Sequence, residues 1–160
     1  MTDLLDVQLT VNGQMVRRTV PAGMTLMDFL RQSLGLMGVK NGCDSGHCGT
    51  CTVIFNGQAK RSCLIKMSRA NGCTVETVES LAPSAGQLHP LQYAFAVENA
   101  IQCGFCTPGM LMAGRALLDH NPAPSEAEIR HALRHNLCRC TGYASIVRAV
   151  QRAAGMLSAG

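Results

Sequence analysis

Eight cysteines of this 160-residue chain fall into two tight groups, and their spacing is what could do chemistry. The first group is Cys43-x4-Cys48-x2-Cys51, followed after eleven residues by Cys63. A C-x4-C-x2-C run with a distant fourth cysteine is the spacing of plant-type [2Fe–2S] sites. Three thiolates on one short loop must all face one small core. Gly46 and Gly49 permit the positive φ angles that such a loop needs. They also let backbone N–H groups approach the sulfurs, which stabilises negative charge and tunes a potential. Cys63 would arrive from the strand that returns after Asn56-Gly57. The second group is Cys103-x2-Cys106 and, after 31 intervening residues, Cys138-x-Cys140. Pro108 is placed to be the first residue of a helix, which sets the first pair near a positive helix end. The second pair closes the helix that follows. Two loops at one end of a helical region would then converge on one site.

The same residues admit other readings. A four-cysteine zinc site usually shows two C-x2–4-C pairs about 15–20 residues apart. The first group instead has three cysteines on one loop and a lone fourth. For the second group the alternatives are zinc or disulfides, and the diverging thiols of C-x-C suit a zinc knuckle poorly. Cys73 is left over and reads as a non-ligand. His47 lies inside the first loop. With four cysteines present it reads as a surface residue, not a Rieske-type ligand. Arg139 would offset the charge of a cluster. Asp119, His120, His131 and His135 read as helix-surface residues, and Met110 and Met112 as core filler.

Composition narrows the class. The chain is 47% hydrophobic and 15% charged, as folded chains are. Aromatics are 4%, so the core must lean on Leu, Val, Ile, Met and Ala. The net charge of +4 is too small and too dispersed to argue for nucleic acid. Its longest basic runs, Arg17-Arg18 and Lys60-Arg61, read as solvated faces. An oxidised four-thiolate [2Fe–2S] cluster carries about −2, so two would roughly cancel the polypeptide charge. No apolar run approaches ~18 residues, which excludes a membrane span. The start, MTDLLDVQLT, lacks the pattern of a secretory signal. The expected location is cytoplasmic, where reductants keep thiols free to bind metal.

The elements that must position these groups change character midway. Asp6–Val11 alternates polar and apolar residues, Asn12-Gly13 follows, and Met15–Val20 forms a second run, which predicts a hairpin. Thr25 can cap a short helix carrying Leu26, Phe29 and Leu30. The Gly- and Cys-rich stretch 35–50 reads as loop. Thr52–Phe55 and a return strand containing Cys63 flank Asn56-Gly57, and Thr74–Val78 is a last strand. Helices are expected over His89–Ile101, Pro108–His120, a segment opened by the capping box Ser125/Glu128, and Ala144–Leu157. The fold class is α+β. The domains are 1–79, β-rich; 80–88, a linker with Pro83, Ser84 and Gly86; and 89–160, helical.

Gln102–Gly109 (QCGFCTPG) and Cys138–Tyr143 (CRCTGY), with Gly42–Cys51 and Cys63, resemble the iron–sulfur subunit of the molybdenum hydroxylases. That group includes xanthine dehydrogenase, aldehyde oxidoreductase and carbon monoxide dehydrogenase. The resemblance covers nearly the whole chain. Leu88–Gln92 fits it too, and Cys63–Met67 looks most like the aldehyde oxidoreductase branch. It implies a β-grasp plant-type ferredoxin domain followed by a four-helix-bundle domain, each with one [2Fe–2S] cluster. The ligands would be Cys43, Cys48, Cys51 and Cys63, then Cys103, Cys106, Cys138 and Cys140. It implies a molybdopterin cofactor on a large partner subunit, approached by Gln102 and Cys140. Electrons would run from molybdenum to the helical-domain cluster, then to the β-domain cluster. FAD on a medium subunit, haem on a cytochrome, or an external acceptor would follow. The substrate implied is an aldehyde or N-heteroaromatic compound, with no substrate chemistry on this chain. Two other functions compete: a free two-cluster ferredoxin-like carrier, and a zinc-stabilised binding module.

Overall fold

The structure is a computed structural model and describes residues 3–159. Its first half is a mixed sheet of five strands among the described residues: β1 Leu4–Val11, β2 Gln14–Pro21, β3 Thr52–Phe55, β4 Gln58–Arg61 and β5 Thr74–Glu76. Their order across the sheet is β2-β1-β5-β3-β4, with only the β1–β5 pair parallel. Both hairpins turn on Asn-Gly pairs in the left-handed region, Asn12-Gly13 at φ 50° and 79° and Asn56-Gly57 at 48° and 78°. That backbone matches the twist of the flanking strands. Asn12 also binds the end of β5, accepting from the Thr77 amide at 2.8 Å and donating to the Thr77 hydroxyl at 2.9 Å.

Thr25 caps the short α1 (Leu26–Asp28), its hydroxyl accepting from the Asp28 amide at 3.1 Å. The helix runs straight into a π-type turn, Phe29–Ser33. Leu26, Phe29 and Leu30 are fully buried there against Val7, Leu9, Val53 and Val75 of the sheet. Each such side chain contributes roughly 1.5–3 kcal/mol by leaving water.

The second half consists of α2 Pro90–Val97, α3 Thr107–His120, α4 Glu126–Leu133 and α5 Ala144–Ser158. Reciprocal capping boxes open α2 (His89/Gln92) and α4 (Ser125/Glu128). Leu91, Phe95, Met110, Ile129, Ile146 and Val150 form its core. A smaller apolar contact of Ile54 with Met112 and Ala116 joins the sheet to α3. Among the described residues no helix is long and apolar enough to cross a membrane.

Several expectations shift at element ends. The return strand stops at Arg61, and Cys63 lies in a 3-10 turn, Ser62–Leu64. The bend is needed because a thiol continuing along β4 would run past the loop that holds Cys51. β5 ends at Glu76, where Thr77 leaves the ladder to bind Asn12. The first long helix ends at Val97, since Asn99 turns left-handed at φ 51°. Thr107, not Pro108, is the first residue of α3, and Cys106 is its cap.

Candidate metal centre

The first thiol loop is shaped by what its glycines allow. Gly46 and Gly49 have φ of 76° and 69°. At Gly49 a Cβ would lie 2.1 Å from the His135 carbonyl oxygen, so the position also lets the second half of the chain approach. Thr50, Thr52 and Ser62 are buried and bind carbonyls: Thr52 to Gly49 at 2.7 Å, Ser62 to Cys51 at 2.8 Å, and Thr50 to Lys40 at 3.2 Å. Arg61 donates to the Gly46 carbonyl at 2.5 Å. The loop is thus braced from β3, β4 and the turn that carries Cys63.

The second set sits where α3 begins and α4 ends. Cys106 caps α3, and Cys138 and Cys140 follow α4. Tyr143 takes the left-handed conformation at φ 70°, and its hydroxyl accepts from the Cys138 amide at 2.9 Å. The Thr141 hydroxyl donates to the Cys138 sulfur at 3.1 Å. These contacts aim the C-x-C thiols back at the α3 terminus.

The eight thiols meet in pairs. Cys140 Sγ lies 3.6 Å from Cys103 Sγ, and Cys106 neighbours Cys138, whose thiol raises its pKa. Cys63 neighbours Cys51, and Cys43 neighbours Cys48, whose amide donates to the Cys43 sulfur at 3.4 Å. Two sulfurs on one tetrahedral metal with ~2.3 Å bonds lie ~3.8 Å apart. Two pairs per site therefore match a core of two metals, each taking two thiolates.

The thiols of each set shift one another's ionisation. Burial, with the neighbouring Cys51, pushes the Cys63 thiol up to about 12. Burial and Cys138 do the same to Cys106, to about 12. The Ser45 hydroxyl and the Cys48 amide lower Cys43 to about 5. At Cys138 burial acts upward, but bonds from Thr141, the Cys140 amide and Cys106 together outweigh it and leave the thiol below its ordinary value. Four thiolates packed together are held only by a strong positive charge, and bound metal supplies one.

The two sets adjoin. The Leu137 amide donates to the Cys48 carbonyl at 2.8 Å, and Leu137 directly precedes Cys138. Buried Asn136 donates to the Gly49 carbonyl at 2.9 Å and to the Thr52 hydroxyl at 3.1 Å. A cavity of about 260 Å³ takes its lining from Cys48 and Thr50 on one side and Cys103, Cys106, Cys138 and Cys140 on the other. Arg139 and Phe105 also line it.

Gln102, Cys103 and Cys140 are exposed, flanked by exposed Ile101, Phe105 and Leu137. Cys73 stands apart, its thiol facing the carbonyls of Arg69 and Asn71. His47 is exposed, with Nδ1 3.0 Å from the Ser45 hydroxyl. Asp119 pairs with Arg115 at the surface, and Met110 and Met112 are buried core. Asn136, Thr141, Tyr143 and the Leu137 amide escape a reading based on ligand types. Thr141-Gly142-Tyr143 directly after C-x-C is the available signal.

A family described as "2Fe-2S iron-sulfur cluster binding domain" matches residues 9–76, and one described as "[2Fe-2S] binding domain" matches residues 77–151. The nicotine 6-hydroxylase small subunit of Paenarthrobacter nicotinovorans is 46% identical over 156 residues, covering 98% of this chain and 93% of that protein. The crystal structure of quinoline 2-oxidoreductase from Pseudomonas putida contains a chain of the same fold, with TM-score 0.92 and 43% identity, covering 98% of each. Aldehyde oxidoreductase from Desulfovibrio desulfuricans matches with TM-score 0.93 and 46% identity over 96% of this chain, which corresponds to 17% of that longer one.

Proposed function

This chain belongs to the family of [2Fe–2S] small subunits of molybdenum hydroxylases, and from that membership we propose how its residues serve an electron-transfer subunit. The β-rich half, a β-grasp ferredoxin domain over 1–79, would hold one cluster through Cys43, Cys48, Cys51 and Cys63. The helical half, a four-helix bundle over 89–160 reached through the linker 80–88, would hold the other through Cys103, Cys106, Cys138 and Cys140. Each bound cluster supplies a centre that accepts and returns one electron.

The chain's own residues set where those centres lie. Exposed Cys103, Cys140 and Gln102, with their apolar flank, form the face for a large molybdopterin-binding subunit. The first loop, with exposed Asp44, Ser45 and His47, forms the exit toward FAD, haem or an external acceptor. One observation carries the relay between them. The 2.8 Å bond from the Leu137 amide to the Cys48 carbonyl joins residues that are, or adjoin, a thiol of each set. A free carrier has no need to weld two sites together, whereas a relay does. The names of the relatives point to an N-heteroaromatic or aldehyde substrate, bound on the partner. The complex is expected to work in the cytoplasm, where thiols stay reduced.

The test is isolation of the complex from its native host, with iron and molybdenum analysis. The expected result is a large molybdenum-containing partner and two distinct [2Fe–2S] signals in electron paramagnetic resonance after substrate is added. Recovery of the chain alone, red-brown and free of molybdenum, would overturn the subunit reading in favour of a free two-cluster carrier.

A further inference from the structure

The basic run Lys60-Arg61 does not end as a plain solvated face. It borders a cleft of about 480 Å³ between the sheet edge and the end of α4. The cationic and titratable side chains lining it are Lys60, Arg61, Arg69, Arg134 and His135, and no Asp or Glu is among the lining residues. None of these four Lys and Arg side chains is in an ion pair among the described residues, while Arg115, Arg130, Arg148 and Arg152 all are. Arg61 and Arg134 each place one N–H on a backbone carbonyl, of Gly46 and His131 respectively, and keep other donors free. Positive charge converges on the cleft strongly enough to disfavour more of it. Beyond desolvation, Arg134 and Arg61 hold the His135 imidazole below its ordinary value.

The cleft also contains a strand edge. β4 is the last strand of the sheet, paired only with β3. Its two-residue turn makes Phe55–Gln58 the closing hydrogen-bonded pair, and pairs then alternate along the ladder. Ala59 and Arg61 therefore direct their N–H and C=O groups outward. The Arg61 carbonyl is taken by the Leu64 amide in the 3-10 turn that Arg61 caps, which leaves the Ala59 N–H and C=O and the Arg61 N–H without a backbone partner among the described residues. The Leu64–Arg69 segment walls one side of this edge and Ala132–Asn136 the other. An edge with these three groups open is a short template for a further strand.

We propose that the cleft binds an extended, carboxylate-rich segment of another polypeptide, added as a strand along β4 with its acidic side chains met by Lys60, Arg61, Arg69 and Arg134. A strand is favoured over a compact anion because backbone groups and cations line the same trough. The first thiol loop adjoins it through Arg61, so the occupant would sit beside the exit end of the molecule.

The test uses the full, cluster-loaded chain and a fluorescent oligo-aspartate peptide, followed by anisotropy at low salt. Binding is expected, and the double variant Lys60→Gln/Arg69→Gln should weaken it by about tenfold or more. Arg17→Gln/Arg18→Gln, at the opposite sheet edge, should leave it unchanged. Methylating alternate peptide nitrogens should abolish binding while keeping every carboxylate. Equal binding of the methylated peptide, or competition by tripolyphosphate with the peptide's own affinity, would overturn strand addition. No binding, or equal loss with the Arg17/Arg18 variant, would overturn the site itself. Affinity is read without electron transfer, so failure here and failure of the relay are distinguishable.

Discussion

At the scale of the residue, what separates a ligand from a bystander is the company each thiol keeps. Eight thiols have a thiol partner, and Cys73 has only carbonyls. Cys138→Ser should therefore leave about half the iron, removing one of two clusters. Cys73→Ser should leave the iron content unchanged. Iron analysis with visible spectra decides both, and a fall in iron for Cys73→Ser would mean the quartets are misassigned. The two groups of thiols stand out in the sequence because ligand chemistry fixes residue type and spacing together. The residues that aim the thiols do not. Tyr143 acts through a hydroxyl on the Cys138 amide, and that needs φ 70° at a non-glycine residue, which no spacing rule announces. Asn136 looks like an ordinary polar residue after a helix, yet it is 5% exposed and bonded across the molecule.

At the scale of the element, local signals and tertiary contacts divide the work. The Asn-Gly turns and the Ser125/Glu128 capping box were readable because each is settled within four residues, whereas the His89/Gln92 box was not, since histidine is not among the usual capping residues. Element ends were less so, since they were moved by partners far away in sequence, as Thr77 is by Asn12. The junction of α2 with α5 is another long-range case. Glu98 closes α2 and accepts from Arg148 at 3.3 Å and Arg152 at 2.5 Å, both on α5. The Arg152 bond holds its carboxyl below the ordinary carboxylate value. A carboxyl with a lowered folded value adds stability above the unfolded value, and loses it as pH falls through the folded one. Glu98→Gln should thus lower Tm at neutral pH, and the gap from the parent should close on acidification below the carboxylate range. Thermal melts across that window check it. A gap that stays constant would mean that Glu98 acts by shape and not by charge.

At the scale of the molecule, two halves with separate cores behave as one in part because backbone meets backbone between them. In α3, Gly109 faces the Gly49 carbonyl so closely that a Cβ there would lie 2.6 Å from that oxygen. Gly49 in turn lies under the His135 carbonyl, with Asn136 bonded to both Gly49 and Thr52. The Cys48–Leu137 bond depends on this approach. Neither partner is a side chain, so no residue type advertises the contact, and the sequence alone left the two halves joined only by a linker. Gly109→Ala isolates the effect. Alanine favours a helix by ~1 kcal/mol over glycine, but overpacking against a backbone oxygen costs ~1–3 kcal/mol, so the clash wins. The halves must part to admit the methyl, while both thiol quartets keep their own ligands. The variant should therefore retain its iron and show weaker magnetic coupling between the two reduced clusters in electron paramagnetic resonance. It should also pass electrons between them more slowly. Unchanged coupling with full iron would mean that the glycine contact does not set the spacing of the two sites, and the relay would then rest on the apolar contact of Ile54 with Met112 and Ala116.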